Sequence, residues 1–240
     1  MISIIFVALN EEACIAQTIQ SLKSRLTFPH EIIVSDGHSD DRTVEIAEKY
    51  ADKVVRHRGT RRQTIAQGRN AGARAATGDF LVFMDADSRI PDPDPLFTRA
   101  LAQFKAHPDL VALTARLRVY PADETLADRL MFGILNFNLR LMNNLFHRGE
   151  STGEFQMMPR RAFNAVGGFR EDLVTREDAD MFLRLSRIGR TRLDPGMTVY
   201  HSARRAHRLG WPRLLCTWML NTLWVLLFDH ARAREWEVVR

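Results

Sequence analysis

The sequence predicts an α/β fold with a mostly parallel central sheet flanked by helices and apolar helices at the C-terminal end. Short apolar runs alternate with helical stretches as far as Asp87, and such alternation implies a doubly wound parallel sheet. The chain has 240 residues and 45% hydrophobic content, enough to bury a full core. No linker, fixed-period repeat or low-complexity stretch divides it, so residues 1–240 are expected to form one domain.

Ile2 to Val7 reads as the first strand. Asn10 is expected to cap a helix reaching about Leu26, with Glu11 and Glu12 in its dipole-favoured first turn. Glu31 to Ser35 reads as strand two, followed by a polar turn from Asp36 to Asp41 and a helix bearing Val44, Ile46, Ala47 and Tyr50. Lys53 to Arg56 is a short third strand, and a helix from about Arg61 to Ala75 leads to the buried strand Phe80–Met84. The Pro-dense segment Pro91 to Pro95 reads as a rigid loop. Less regular elements follow: a strand near Leu110 to Val119, a long helix near Leu126 to Phe146, a loop at Arg148 to Phe155 and a helix from Glu177. Arg192-Leu193 and Met197 to Tyr200 are expected as edge strands around the turn Asp194-Pro195-Gly196.

Right-handed crossovers place the loops after Val7, Ser35 and Met84 along one edge of the sheet, so Asn10, Asp36, Asp85 and Asp87 are expected to meet in one cleft. Asp85-Ala86-Asp87 puts two carboxylates at the end of a strand, where they repel each other and lose hydration. A divalent cation, Mg²⁺ or Mn²⁺, is the simplest compensation, and it points to a phosphate-bearing substrate.

The net charge of +5 comes from arginine clusters: Arg56 to Arg74, Arg116 to Arg118, Arg160-Arg161 and Arg204 to Arg213. Aromatic residues are not interleaved with them, and no helix-turn-helix, finger or RNA-binding signature is present, so nucleic acid is not the expected partner. An anionic membrane surface or a nucleotide diphosphate fits better. Cys14 and Cys216 stand far apart and read as reduced thiols without a catalytic role. The first apolar run begins near Met1 without a basic leader or a cleavage site, so a cytoplasmic location is expected.

Further motifs follow in a fixed order. Ala8-Leu9-Asn10-Glu11-Glu12 precedes Ser35-Asp36-Gly37-His38-Ser39-Asp40-Asp41, then Gln67 to Ala73 with Gly78-Asp79, then Asp85-Ala86-Asp87. Val166-Gly167-Gly168-Phe169 and Glu177-Asp178-Ala179-Asp180 complete the set. Together they resemble the family 2 glycosyltransferases of the GT-A fold, a Rossmann-like sandwich. The resemblance implies a nucleotide-sugar-binding half over residues 1–90, an acceptor and catalytic half over 91–203 and a C-terminal apolar helical segment over 204–240.

The resemblance also implies site roles. Asp36 would bind the base, Asn10, Glu12 and the backbone of Ala8 would line the nucleotide pocket, and Arg69 would steady the nucleotide or diphosphate. Asp85, with Ala86 beside it, would face ribose or metal, while Asp87 and His201 would ligate the metal. In the inverting scheme that it implies, Asp178 is the base, with Glu177 and Asp180 as competitors on other helix faces. The chain departs from the family by lacking the proline before Asn10, by His38 and Asp41-Arg42 in place of smaller residues, and by having no Gln-x-x-Arg-Trp after Asp178. The last departure favours transfer of a single sugar, and the resemblance implies UDP as the expected carrier by its frequency in the family.

Two apolar segments exceed the needs of one core face: the helix near Leu126 to Phe146, and Leu214 to Phe228, which is too short to span a bilayer. They are expected either to dock on the inner leaflet of the cell membrane, admitting a lipid-linked acceptor, or to pack together or form a homodimer interface. The rival readings are a non-catalytic nucleotide-sugar-binding or membrane-associated scaffold and a sugar-phosphate nucleotidyltransferase. The latter needs a Gly-rich loop directly after strand one, where Ala8-Leu9-Asn10 stands instead.

Overall fold

Strands β1 (Ile2–Ala8), β2 (His30–Asp36), β3 (Lys53–Arg56), β4 (Phe80–Asp85), β5 (Leu110–Val119), β6 (Gln156–Pro159) and β7 (Arg190–His201) form one sheet in the order β3-β2-β1-β4-β6-β5-β7. The structure is a computed structural model that describes residues 1–60 and 62–228. Strand β6 runs antiparallel to both neighbours, and all other pairings in the sheet are parallel. The mostly parallel α/β sheet expected from the sequence is therefore present.

The two sheet faces carry separate cores. Ile4, Phe6 and Ala8 of β1 pack with helices α1 (Ile15–Lys23), α2 (Thr43–Tyr50) and α4 (Pro93–Ala106). Ile5, with Ile33, Leu81 and Phe83, packs against α3 (Ile65–Ala75), α6 (Arg160–Ala165) and α7 (Glu177–Leu185). Burial on both faces explains why the central strands read as continuous apolar runs. Winding reverses at β1, and the register sets Ala8 opposite Asp36 and Val7 opposite Asp85. The C-terminal ends of β1, β2 and β4 thus share one edge at the switch point, where open α/β sheets take ligands.

Several elements differ from expectation. Helix α1 starts at Ile15, because Asn10 adopts φ 58° and fastens a neighbouring loop rather than capping a helix. Helix α4 begins inside the Pro-dense stretch expected as a loop. Pro93 opens it, where a missing N–H costs nothing, and Leu96, Phe97, Ala100 and Phe104 are buried along it. Strand β7 is continuous where two strands around a turn were expected. Asp194 to Gly196 forms a bulge at which the register passes from Ala115 opposite Asp194 to Arg116 opposite Thr198, and its proline is tolerated on an edge strand.

The long helix is present as α5 (Leu126–Arg140), capped reciprocally by Thr125 and Asp128, and continues as a π-helical turn over Leu141–Leu145. Inside that turn, the buried Asn143 side chain donates to the carbonyls of Leu139 and Glu150 at 2.8 and 2.7 Å and accepts from the Thr191 hydroxyl at 2.7 Å. It thereby anchors the start of the loop before β6. Helices α8 (Arg204–Leu209) and α9 (Trp211–Phe228) finish the described chain, and Arg61 and residues 229–240 lie outside the described residues. No helix among the described residues is long and apolar enough to cross a membrane.

Candidate active site

Arg69 organises the C-terminal edge. Helix α3 carries it beneath the end of β4, where it is 1% exposed and lies over the Phe169 ring at 5.2 Å. A buried guanidinium stays charged and must be paired. Its partners are Asp85 at 3.3 Å, Glu177 at 3.3 Å and Asp178, with which it forms a close ion pair. Residues distant in sequence thus meet around one cation.

Three carboxylates exceed what one arginine neutralises. Loss of hydration, with repulsion among the acids, holds Asp85, Glu177 and Asp178 above the ordinary carboxylate range, although Arg69 pulls the other way. The Asp85 side chain keeps 39% of its surface open toward the cleft. Gln156 donates from Nε2 to Asp178 Oδ1 at 3.1 Å. Asp180 faces elsewhere, paired with Arg184 at 2.7 Å and Arg170 at 4.0 Å. Of the three acids at the start of α7, Glu177 and Asp178 therefore enter the cluster and Asp180 does not.

The loop before β6 closes over this centre. A Cβ at Gly153 would stand 2.6 Å from Arg69 Nη2, 3.1 Å from Asp85 Oδ2 and 3.2 Å from Asp178 Oδ2, so a side chain there would displace the cluster. At Gly149 a Cβ would lie 1.8 Å from the Phe182 carbonyl, which brings the loop hard against α7.

Asp87 belongs to a second group. Its carboxylate accepts from the Ser202 hydroxyl and from Arg204, whose Nη2 lies 3.0 Å away. Arg204 also pairs with Glu11 at 2.9 Å. His201 packs edge-on to Phe132 at 4.7 Å, its Nδ1 is 3.3 Å from the Ala203 N–H, and its Nε2 is buried without a partner. Two carboxylates and an orphaned imidazole nitrogen make a donor set that suits Mg²⁺ or Mn²⁺. Among the described residues no three such groups stand within reach of one ion, and Asp87 is engaged by Arg204 and Ser202.

On the β2 side, Asp36 is buried, and its Oδ2 accepts the N–H groups of His38 and Ser39, both at 3.1 Å. Its Oδ1 is buried with no partner. Asn10 clips the same turn, accepting from Asp40 N–H at 2.8 Å while its own N–H donates to the Ser39 hydroxyl at 2.8 Å. The Ala8 carbonyl accepts from Gly37 N–H at 2.9 Å, and that of Ala86 accepts from the Thr18 hydroxyl at 2.7 Å. Glu12 is exposed and bound to the Arg42 N–H at 3.0 Å, while Glu11 turns inward to Arg204. The sequence assigns Glu11, Glu154 and Gln156 no site role. Glu11 stood beside the residues chosen, whereas nothing in the spacing of the other two marks them.

The family model described as "Glycosyl transferase family 2" matches residues 3–167. A beta-monoglucosyldiacylglycerol synthase of Synechocystis is 30% identical over 200 residues, covering 74% of this chain and 38% of that protein. The succinoglycan biosynthesis protein ExoA of Rhizobium meliloti is 28% identical over 193 residues, covering 78% of this chain and 58% of its own length. The chain thus spans between 38% and 58% of these two relatives. Among solved structures, the mannosyltransferase PcManGT from Pyrobaculum calidifontis, in complex with GDP-Man and Mn²⁺, superposes with a TM-score of 0.73 at 20% identity, covering 97% of this chain and 65% of that one. TarS of S. aureus in complex with UDP-GlcNAc gives 0.65 at 21% identity, covering 84% and 58%. These likenesses establish a shared fold.

Proposed function

The chain belongs to glycosyl transferase family 2, and from that premise we propose that it transfers one sugar from a nucleoside diphosphate donor, with inversion and with a divalent cation, to an acceptor hydroxyl or lipid phosphate. The observation that carries this reading is the meeting of Asp85, Glu177 and Asp178 around buried Arg69 at the sheet's switch point.

Asp178 is the proposed base. Its carboxylate takes the proton of the acceptor hydroxyl, the acceptor oxygen bonds to the anomeric carbon, and the bond to the diphosphate breaks with its electron pair on the departing oxygen. A base raised above the ordinary carboxylate range suits this work, because it holds the proton it takes more firmly. Asp36 Oδ1 is an unused buried acceptor that suits a ring N–H of the base, such as the imide N–H of uracil in the proposed UDP carrier. Asp85, Asp87 and His201 would hold the cation, which supplies charge neutralisation for the leaving diphosphate. Arg69 and Arg204 stand ready to exchange carboxylates for phosphate oxygens.

The acceptor is proposed to be lipid-linked. Leu126, Leu130, Ile134 and Phe137 form one exposed stripe along α5, and Leu215, Met219 and Leu220 are exposed on α9. Arg129, Arg140, Arg148 and Arg213 flank these surfaces, matching an anionic leaflet. The two helices meet through Phe132 and Trp211, 5.3 Å apart, and Thr222 of α9 accepts from Arg176, just before α7, at 3.0 Å. The relative named as a beta-monoglucosyldiacylglycerol synthase accords with this reading. The protein would work peripherally at the inner membrane face. Flotation with anionic vesicles at low salt tests the docking, and a soluble dimer that ignores vesicles would contradict it. Release of UDP from a UDP-sugar in the presence of Mn²⁺ and diacylglycerol vesicles tests the activity. It should fall steeply, by about 10²–10⁴-fold, in Asp178→Asn, and equal rates in the variant would remove Asp178 from its role.

A further inference from the structure

The loop before β6 holds polar atoms that the proposed chemistry leaves unused. Thr152 Oγ1, Glu154 Oε2 and Gln156 Oε1 are each buried without a hydrogen-bond partner. Orphaned buried polar atoms are costly, so three within five residues call for a ligand. Gln156 is 0% exposed, and donation from its Nε2 to Asp178 fixes the amide so that Oε1 is the free end. Glu154 is the like charge that acts most strongly on both Asp85 and Asp178, which brings its carboxylate to the same space. Between Thr152 and Glu154, Gly153 rests against Arg69, Asp85 and Asp178.

The missing partner has a definite chemistry. A carboxylate oxygen and an amide carbonyl oxygen accept hydrogen bonds only, so they call for a ligand rich in donors, and the hydroxyl groups of a sugar beside the reacting centre supply several. The surroundings are already rich in negative charge, and an anionic group brought among Asp85, Glu154, Glu177 and Asp178 would be repelled. We propose that Glu154 and Gln156, with Thr152 beside them, form the subsite for the hydroxyl groups of the transferred sugar, and that this sugar is a neutral hexose rather than a uronate. This rests on the nucleotide-sugar reading of the site.

Titration calorimetry in Mn²⁺ buffer separates the two ideas, using UDP, UDP-glucose, UDP-galactose, UDP-glucuronate, GDP and GDP-mannose on wild type and Glu154→Gln. In wild type, one neutral sugar nucleotide should bind more tightly than its bare nucleotide, and UDP-glucuronate should gain nothing over UDP. Glu154→Gln should lose roughly tenfold or more of affinity for that sugar nucleotide, the scale of a hydrogen bond to a charged group, while bare nucleotide changes by less than about twofold. Glu154→Asp, which retracts the carboxylate by one methylene, should lose part of the same gain and serves if the first variant melts early. Equal binding of sugar nucleotides by wild type and both variants, or tighter binding of UDP-glucuronate than of UDP-glucose, overturns the subsite alone. Absence of nucleotide binding in folded wild type overturns the site reading and the subsite with it.

Discussion

Glu31 and Asp85 stand at opposite ends of the same sheet, and their surroundings differ in kind. At the N-terminal edge, Glu31 accepts from Ser3, from the Thr77 backbone and hydroxyl, and from Lys53 at 2.8 Å. Burial would raise it, but these donors prevail and bring it down to about 2. At the C-terminal edge, Asp85, Glu177 and Asp178 share one guanidinium, and burial wins. A carboxylate whose partners are complete holds the fold, whereas a group of acids short of cations keeps capacity for a ligand. Asp128 resembles Glu31. It is fully buried, takes donors from Thr125, His207 and Trp211, and falls to about 2 despite burial as it joins α5 to α8 and α9.

The sharpest contrast should come from Asp178→Asn. Turnover is expected to fall about 10²–10⁴-fold, the usual contribution of a positioned base. Nucleotide affinity by calorimetry and the melting temperature should remain near wild type. At the other edge, Glu31→Gln should leave turnover per folded molecule unchanged and cost about 1–3 kcal/mol in urea unfolding, the range for stranding buried hydrogen-bonding groups. Loss of activity without loss of stability in Glu31→Gln would break the distinction between the two ends.

Acid titration gives a smaller effect of defined sign. Glu31 and Asp128 are lower in the folded state than in the unfolded chain, so their stabilisation is present above the unfolded values near 4 and is lost as pH falls toward about 2. Chemical unfolding across that window should show wild type losing more stability than Glu31→Gln. Glu177 has the opposite sign. Its folded value is raised, so it favours the fold below the unfolded value and costs stability as pH rises. Glu177→Gln should therefore match or exceed wild type in melting temperature, by a margin that grows above pH of about 5. A margin that shrinks with rising pH would contradict the account of the acid cluster.

The two halves of the molecule were unequally legible. Strands β1, β2 and β4 stood out because both faces are buried, and the acid pair was marked by the strand that delivers it. Helix α4 carried a helical pattern at Leu96, Phe97, Ala100 and Phe104, but the prolines around its start read as a loop. Strand β6, Gln156 to Pro159, carries no strand signal because it lacks β-branched residues and owes its place to antiparallel pairing between β4 and β5. The resemblance points to Asp178 with Glu177 and Asp180 as competitors, and only the seating of α7 separates Asp180 from the cleft. The pairing of Arg204 with Glu11 and Asp87 joins the two ends of the chain, and no local pattern encodes it.

The most direct test of the central claim is a thermal-shift panel of UDP-, GDP- and dTDP-sugars with and without Mn²⁺, on wild type and Asp87→Ala, since a ligand that binds the folded state raises its apparent stability. The account predicts a Mn²⁺-dependent rise for one nucleotide series in wild type that disappears in Asp87→Ala. Folded wild type that shifts with none of the donors, or shifts equally in Asp87→Ala, would contradict it.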